Sequence, residues 1–135
     1  MIPAAPLEVL QHTAKTHSSA AHAGEYMSQI QELLYESLPV LERIIEQATG
    51  GPDPLPDASK QLVLAGGKRV RPIATLLSAK ACGGALPAAL PLAAAVELIH
   101  SATLLHDDVI DEGEERRGRP ASRMLWGNLV SVLSG

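Results

Sequence analysis

The sequence predicts an all-α fold, and three observations carry that prediction. Apolar residues recur at spacings of three and four over much of the chain, the period of a helix with one buried face. No stretch alternates apolar and polar residues as a half-buried strand would. Glycine and proline gather in short clusters that divide the chain into pieces of helical length.

The chain has 135 residues, enough for one modest domain. Residues 1–22 contain two prolines, three histidines and many Ser, Thr and Ala, and read as a flexible leader ahead of a helical domain over 23–135. His12, His17 and His22 lie five apart, which does not place them on one helix face. From Gly24 to Ala48 the residues Met27, Ile30, Leu33, Leu34, Leu38, Leu41, Ile44 and Ile45 mark a helical stripe, which Pro39 is expected to bend or split. Residues 49–56, TGGPDPLP, form a linker. A short helix is expected from Asp57 or Ala58 to Ala65, stopped by Gly66 and Gly67. Another begins near Pro72, a residue suited to a first turn, and ends near Cys82-Gly83-Gly84. A long helix runs from about Pro91 to Asp108 or a little beyond. Residues 112–120 form a charged loop. Two shorter helical pieces follow, with Gly127 between them. The last residues, GNLVSVLSG, read as a helix cut short, so the chain is expected to be the N-terminal part of a larger domain.

Composition narrows the function. Apolar residues make up 46% of the chain and aromatics 2%, with no Phe, so Leu, Ala, Val and Ile must build the core. A net charge of −4 argues against a nucleic-acid-binding surface. The single cysteine, Cys82, excludes an internal disulfide and a multi-cysteine zinc site. It reads as a structural thiol in a reducing compartment, and a cytoplasmic protein is expected. The N-terminus lacks the basic-then-apolar order of a secretory signal. Residues 85–105 are apolar enough to raise the question of a membrane span. Pro87, Pro91, Glu97 and His100 interrupt them, and a buried core helix is the expectation.

Three constellations carry chemistry. The first is Asp107, Asp108 and Asp111 at the end of the long helix. Grouped carboxylates repel one another unless something positive binds among them. At 100° per residue His100, Asp107 and Asp111 share one face if the helix persists to Asp111, while Asp108 points about a quarter turn away. Asp107 and Asp111 can therefore share a hard cation such as Mg²⁺, which often takes one or two carboxylates plus substrate phosphates. A solvated acidic helix end is the alternative, weakened because acids at a helix C-terminus oppose the macrodipole. The second constellation is GGKRVRP, residues 66–72. Its glycines permit close backbone approach, and the following helix N-terminus favours anions. Lys68 and Arg71 can converge on one anion, although the order is not that of a P-loop. The third is Arg116-Arg117-Gly118-Arg119-Pro120. Adjacent arginines point apart and could serve two phosphate groups. One acidic metal site and two cationic clamps together imply Mg²⁺ and two phosphorylated substrates.

With these motifs the chain resembles the trans-polyprenyl diphosphate synthases. GGKRVRP resembles the family's first basic motif, ELIHSATLLHDDVID the helix ending in its first DDxxD motif, and ERRGRP the arginine pair that follows, over roughly residues 60–135. The resemblance implies an isoprenoid-synthase-type helical bundle, here its N-terminal part only, and a homodimer when complete. It implies that Lys68, Arg71 and His100 bind the diphosphate of isopentenyl diphosphate. Asp107 and Asp111 would ligate Mg²⁺, with Asp108 supporting them. Arg116 would hold the allylic diphosphate and Arg117 that of isopentenyl diphosphate. Ala102 and Thr103, five and four residues before Asp107, occupy positions where bulky aromatics keep the family's products short. Both are small here, and no aromatic occurs between Tyr35 and Trp126, so a long product is expected. A greasy product implies peripheral membrane contact at release. The family's second aspartate-rich motif and downstream lysine region are absent from these 135 residues, so the chain by itself is expected to be inactive or nearly so.

Two other readings compete. A noncatalytic subunit of a heteromeric prenyl synthase does not require intact metal ligands at Asp107, Asp108 and Asp111. An HD-type metal phosphohydrolase, suggested by His106-Asp107, leaves both cationic clamps unexplained. A cyclising terpene synthase has no use for an isopentenyl diphosphate clamp.

Overall fold

A computed structural model describes residues 23–50, 55–64 and 67–135. The expected leader over 1–22, the centre of the linker and Gly66 lie outside the described residues. Among the described residues six helices follow in order: α1 (Ala23–Leu34), α2 (Ser37–Ala48), α3 (Leu55–Leu64), α4 (Val70–Ala81), α5 (Leu86–Ile110) and α6 (Ser122–Ser134). The all-α expectation holds, with one local exception. Glu115–Arg116 (β1) and Arg119–Pro120 (β2) pair antiparallel, Glu115 opposite Pro120 and Arg116 opposite Arg119. The two residues between them, Arg117 and Gly118, have φ of 55° and 73°, the positive pair of a type I′ hairpin turn. The charged loop is thus a small ribbon that gives Arg116 and Arg117 fixed positions.

The prolines act at helix starts. The first helical stretch breaks at Tyr35–Glu36, not at Pro39. Pro39 is the third residue of α2, where a missing N–H leaves no bond unmade. Pro72 holds the same place in α4. The long helix begins at Leu86, five residues before the expected start at Pro91. Pro87 sits in its first turn, and both it and Pro91 are exposed. The carbonyl that Pro91 cannot engage therefore lies on the wet side of the helix, where water can satisfy it. Gly127 adopts φ 82° and ψ 167° within α6 and divides it into two pieces, as expected.

α5 is the central element and packs against α2, α3, α4 and α6, while α3 also packs on α6. Its long apolar run meets the length and composition of a membrane span. Seven of its positions are buried, however, and they include Glu97 and Asp108. The main core joins Leu34, Leu41, Ile45, Val63, Ile73, Leu76, Leu90, Ala93 and Ala94. Alanines at 93 and 94 let the neighbouring helices approach α5 closely in the absence of aromatic filling. Further along α5, Leu105 is buried, as are Ala58, Leu62 and Ala121.

Candidate active site

The candidate site residues named from the sequence gather around the C-terminal half of α5. α5 persists to the end of the acidic motif: Asp111 is its C-cap, and the Asp111 N–H donates to the Asp107 carbonyl at 2.8 Å. Asp107 and Asp111 are therefore one turn apart on one face, and both side chains are exposed. Asp108 points inward and is 2% exposed. It accepts from Arg116 Nε at 3.0 Å and from Arg116 Nη2, both on Oδ1. The Asp108 bond first, and then the charges of Asp107 and Asp111, hold the Arg116 pKa above its ordinary value despite burial. Arg116 thus lies within the field of all three aspartates.

Three of the sequence-derived cationic positions, Arg71, His100 and Arg117, lie within one another's reach around His100. Arg71 is the second residue of α4 and His100 lies on α5. Burial lowers the His100 pKa, and the Arg71 cation lowers it further; Glu97 opposes them, while Arg117 and Arg116 add to the effect. Arg117 is held by the hairpin turn, and its Nη1 donates to the Leu62 carbonyl at 3.3 Å. Its guanidinium lies so close to Gly67 that a Cβ there would stand 3.4 Å from Nη2 and 3.5 Å from Nη1. Glycine at 67 thus lets Arg117 lie on the backbone of the basic motif. Burial and then the Arg69 charge lower the Arg117 pKa, with Glu97 opposing, yet a guanidinium remains charged at neutral pH. Lys68 is exposed, next in the chain to Gly67. The hairpin thus joins the acidic helix end to the basic motif: Arg116 turns to Asp108, and Arg117 turns to Gly67.

Arg69 is the residue that sequence reasoning missed. It is 4% exposed and adopts a left-handed backbone, φ 48° and ψ 32°, as the N-cap of α4. Its side chain donates to Glu42 at 2.8 and 3.0 Å, to Glu97 at 2.9 Å and to the Val63 carbonyl at 3.1 Å. Burial works against the cation, but the two carboxylates outweigh it and raise the pKa. The signal in the sequence was Glu97, an acid within the apolar run of α5. A buried acid requires a cation.

The two positions expected to bear on product length separate. Ala102 lines a cavity of about 340 Å³ with Leu98, Ser101, Leu105, Val63 and Leu133. Thr103 is exposed, and its hydroxyl donates to the His100 carbonyl at 2.7 Å.

Among the described residues no group of three or more His, Cys, Asp or Glu side chains meets around one point. The exposed pair Asp107 and Asp111 nevertheless fits a hard cation that draws its other ligands from phosphate and water, as Mg²⁺ does. It does not provide the closed four-ligand set of a structural zinc.

The chain is similar to known proteins in both sequence and fold. Residues 52–135 match the polyprenyl synthetase family. A short chain isoprenyl diphosphate synthase of Methanothermobacter thermautotrophicus is 47% identical over 95 residues, 70% of this chain and 29% of that protein. An all-trans-nonaprenyl-diphosphate synthase of Rhodobacter capsulatus is 55% identical over 78 residues, 57% of this chain and 24% of that protein. The crystal structure of a polyprenyl synthase from Caulobacter crescentus, solved with calcium and isoprenyl diphosphate, superposes with a TM-score of 0.74 at 38% identity, over 79% of this chain and 33% of that one. The chain spans between a quarter and a third of the length of these relatives. The family match covers the basic motif, the whole of α5 and the arginine hairpin, so the chain belongs to the polyprenyl synthetase family.

Proposed function

We propose that these residues form the substrate-binding half of a prenyltransferase that condenses isopentenyl diphosphate with an allylic diphosphate. One observation carries the reading. Arg71 and Arg117 both act on His100 as nearby cations, Arg117 lies against the basic motif at Gly67, and His100 shares a helix face with two exposed carboxylates one turn apart. Two anionic groups of different kinds can thus be held side by side. Lys68, Arg71, His100 and Arg117 would bind the isopentenyl diphosphate, and Arg116, within the field of the aspartates, the allylic diphosphate. Asp107 and Asp111 would hold Mg²⁺, which supplies charge neutralisation to a departing diphosphate.

The chain's own part is then positioning and electrostatics. The guanidinium groups fix each diphosphate. Departure of the allylic diphosphate leaves an allylic cation, and the isopentenyl double bond, held beside it, attacks that cation. Loss of a proton, to the departing diphosphate, restores a double bond. The growing chain would run down α5 from the aspartates past Ala102 and Thr103, whose small side chains suit a long product. The Caulobacter relative, solved with calcium and isoprenyl diphosphate, supports both ligand classes. A homodimer is part of this proposal.

The test is prenyl transfer by the purified chain with Mg²⁺, farnesyl diphosphate and labelled isopentenyl diphosphate, with products resolved by length. The same sample is titrated with isopentenyl diphosphate by calorimetry. Mg²⁺-dependent products longer than farnesyl, or specific diphosphate binding lost in Arg71→Ala, support the proposal. Phosphate release without a new carbon–carbon bond would replace it with a hydrolase.

A further inference from the structure

Arg69 stands in the middle of the basic motif, yet nothing about it suits a ligand. Four of its five N–H donors are taken by Glu42, Glu97 and the Val63 carbonyl. The side chain is 4% exposed, whereas Lys68, Val70 and Arg71 around it are exposed. Its left-handed backbone is disfavoured for a residue with a side chain and persists only where the surroundings impose it. Those surroundings come from three elements: Glu42 from α2, Val63 from α3 and Glu97 from α5.

The position of this anchor links the parts of the pocket. Two residues before it, Gly67 supports the Arg117 guanidinium. Two residues after it, Arg71 acts on His100. The Arg69 carbonyl accepts the Ile73 N–H at 3.0 Å and so starts α4. On α5, Glu97 lies three residues before His100 and hence on the same side of the helix. One guanidinium therefore fixes where α4 begins, where the 67–71 segment runs, and how both sit against His100.

We propose that Arg69 is a positioning residue of the diphosphate pocket. Anchored on Glu42, Glu97 and Val63, it holds the 67–71 segment so that Arg71, His100 and Arg117 surround one anion. This inference rests on the diphosphate reading of that pocket. Arg69 itself never touches the ligand.

The experiment is calorimetric titration of the whole chain with inorganic diphosphate, paired with NMR of the arginine Nε–H signals. Wild type, Arg69→Met, Glu42→Gln and Arg71→Ala are compared, each checked for helicity by circular dichroism. Arg69→Met is expected to weaken binding at least tenfold, and Glu42→Gln, which leaves the Glu97 bond intact, about threefold. The Arg69 Nε–H signal is expected to stay in place as diphosphate is added, while those of Arg71 and Arg117 move. A folded Arg69→Met that binds as well as wild type overturns the inference and leaves the diphosphate reading standing. Should Arg69→Met not fold, unchanged affinity in Glu42→Gln overturns it equally. Movement of the Arg69 signal on titration makes Arg69 a direct ligand and also overturns it. Failure of the wild type to bind diphosphate overturns the reading of the pocket and the inference with it.

Discussion

Arg116 reaches back eight residues and places both Nε and Nη2 on one oxygen of Asp108, at the end of a carboxylate almost wholly removed from water. The pair is lopsided: Asp108 is 2% exposed and Arg116 35%. Its two ends should therefore respond differently to substitution. Arg116→Met strands a buried carboxylate and is expected to cost about 3 kcal/mol. Asp108→Asn frees an arginine that can turn to solvent and is expected to cost about 1 kcal/mol. Urea denaturation of the two variants measures the difference, and equal losses would refute the asymmetry.

His100 is expected to titrate below its ordinary value of 6.5, because burial and then Arg71 disfavour its proton. The unfolded chain then binds that proton more readily than the folded one. The His100 contribution to stability is complete above pH 6.5 and is lost as the pH falls through the folded value. Thermal midpoints measured from pH 8 to pH 5 should fall less steeply in His100→Gln. A bound diphosphate favours the charged ring, so its addition should move the His100 NMR titration upward.

Asp107 and Asp111 are expected to act on the metal and not on the phosphate clamp. Asp107→Asn and Asp111→Asn should each abolish the tightening of diphosphate binding by Mg²⁺ while leaving metal-free binding within about twofold, a shift of under ~0.5 kcal/mol. Titrations with and without Mg²⁺ provide the comparison. Loss of metal-free binding would mean that these carboxylates hold the fold instead.

Ala102→Phe fills part of the cavity of about 340 Å³ beside α5. In an assembly that supports turnover it should shift products toward shorter chains. Thr103→Phe, exposed and four residues before Asp107 on the same helix face, should shift them more. Chromatography of the chain-length distribution distinguishes the two.

Gly84→Ala tests the turn that launches α5. The Gly84 N–H donates to the Ala79 carbonyl at 2.8 Å, and an added Cβ would stand 2.9 Å from that same oxygen. The backbone must shift, at an expected cost of about 1–3 kcal/mol by denaturant unfolding.

Local pattern made part of this molecule legible and non-local pairing hid the rest. The 3.6-residue period was enough to place Asp107 with Asp111 and to turn Asp108 aside, because those angles follow from one helix. Glycine at 127 marked a break for the same reason. The partner of Asp108 was hidden, because it depends on a hairpin with strands of two residues, too short to show alternation. Gly118 was a turn signal, but an arginine with positive φ before it is not a usual one. The Arg69 anchor draws on residues 27 and 28 positions away, which no periodicity reports. The early start of α5 was missed because Pro91 reads as a first-turn residue, and only its exposure explains how it sits deeper in the helix.

α5 also has a metric consequence. Val96, His100 and Thr103 lie below Asp107 at successive steps of three and four residues along one helix face. Each turn descends about 5.4 Å, of the same order as one isoprene unit. On the proposed reading α5 is a graduated ruler with its zero at the aspartates. Product length would then change in whole units as a bulky side chain is moved from one graduation to the next.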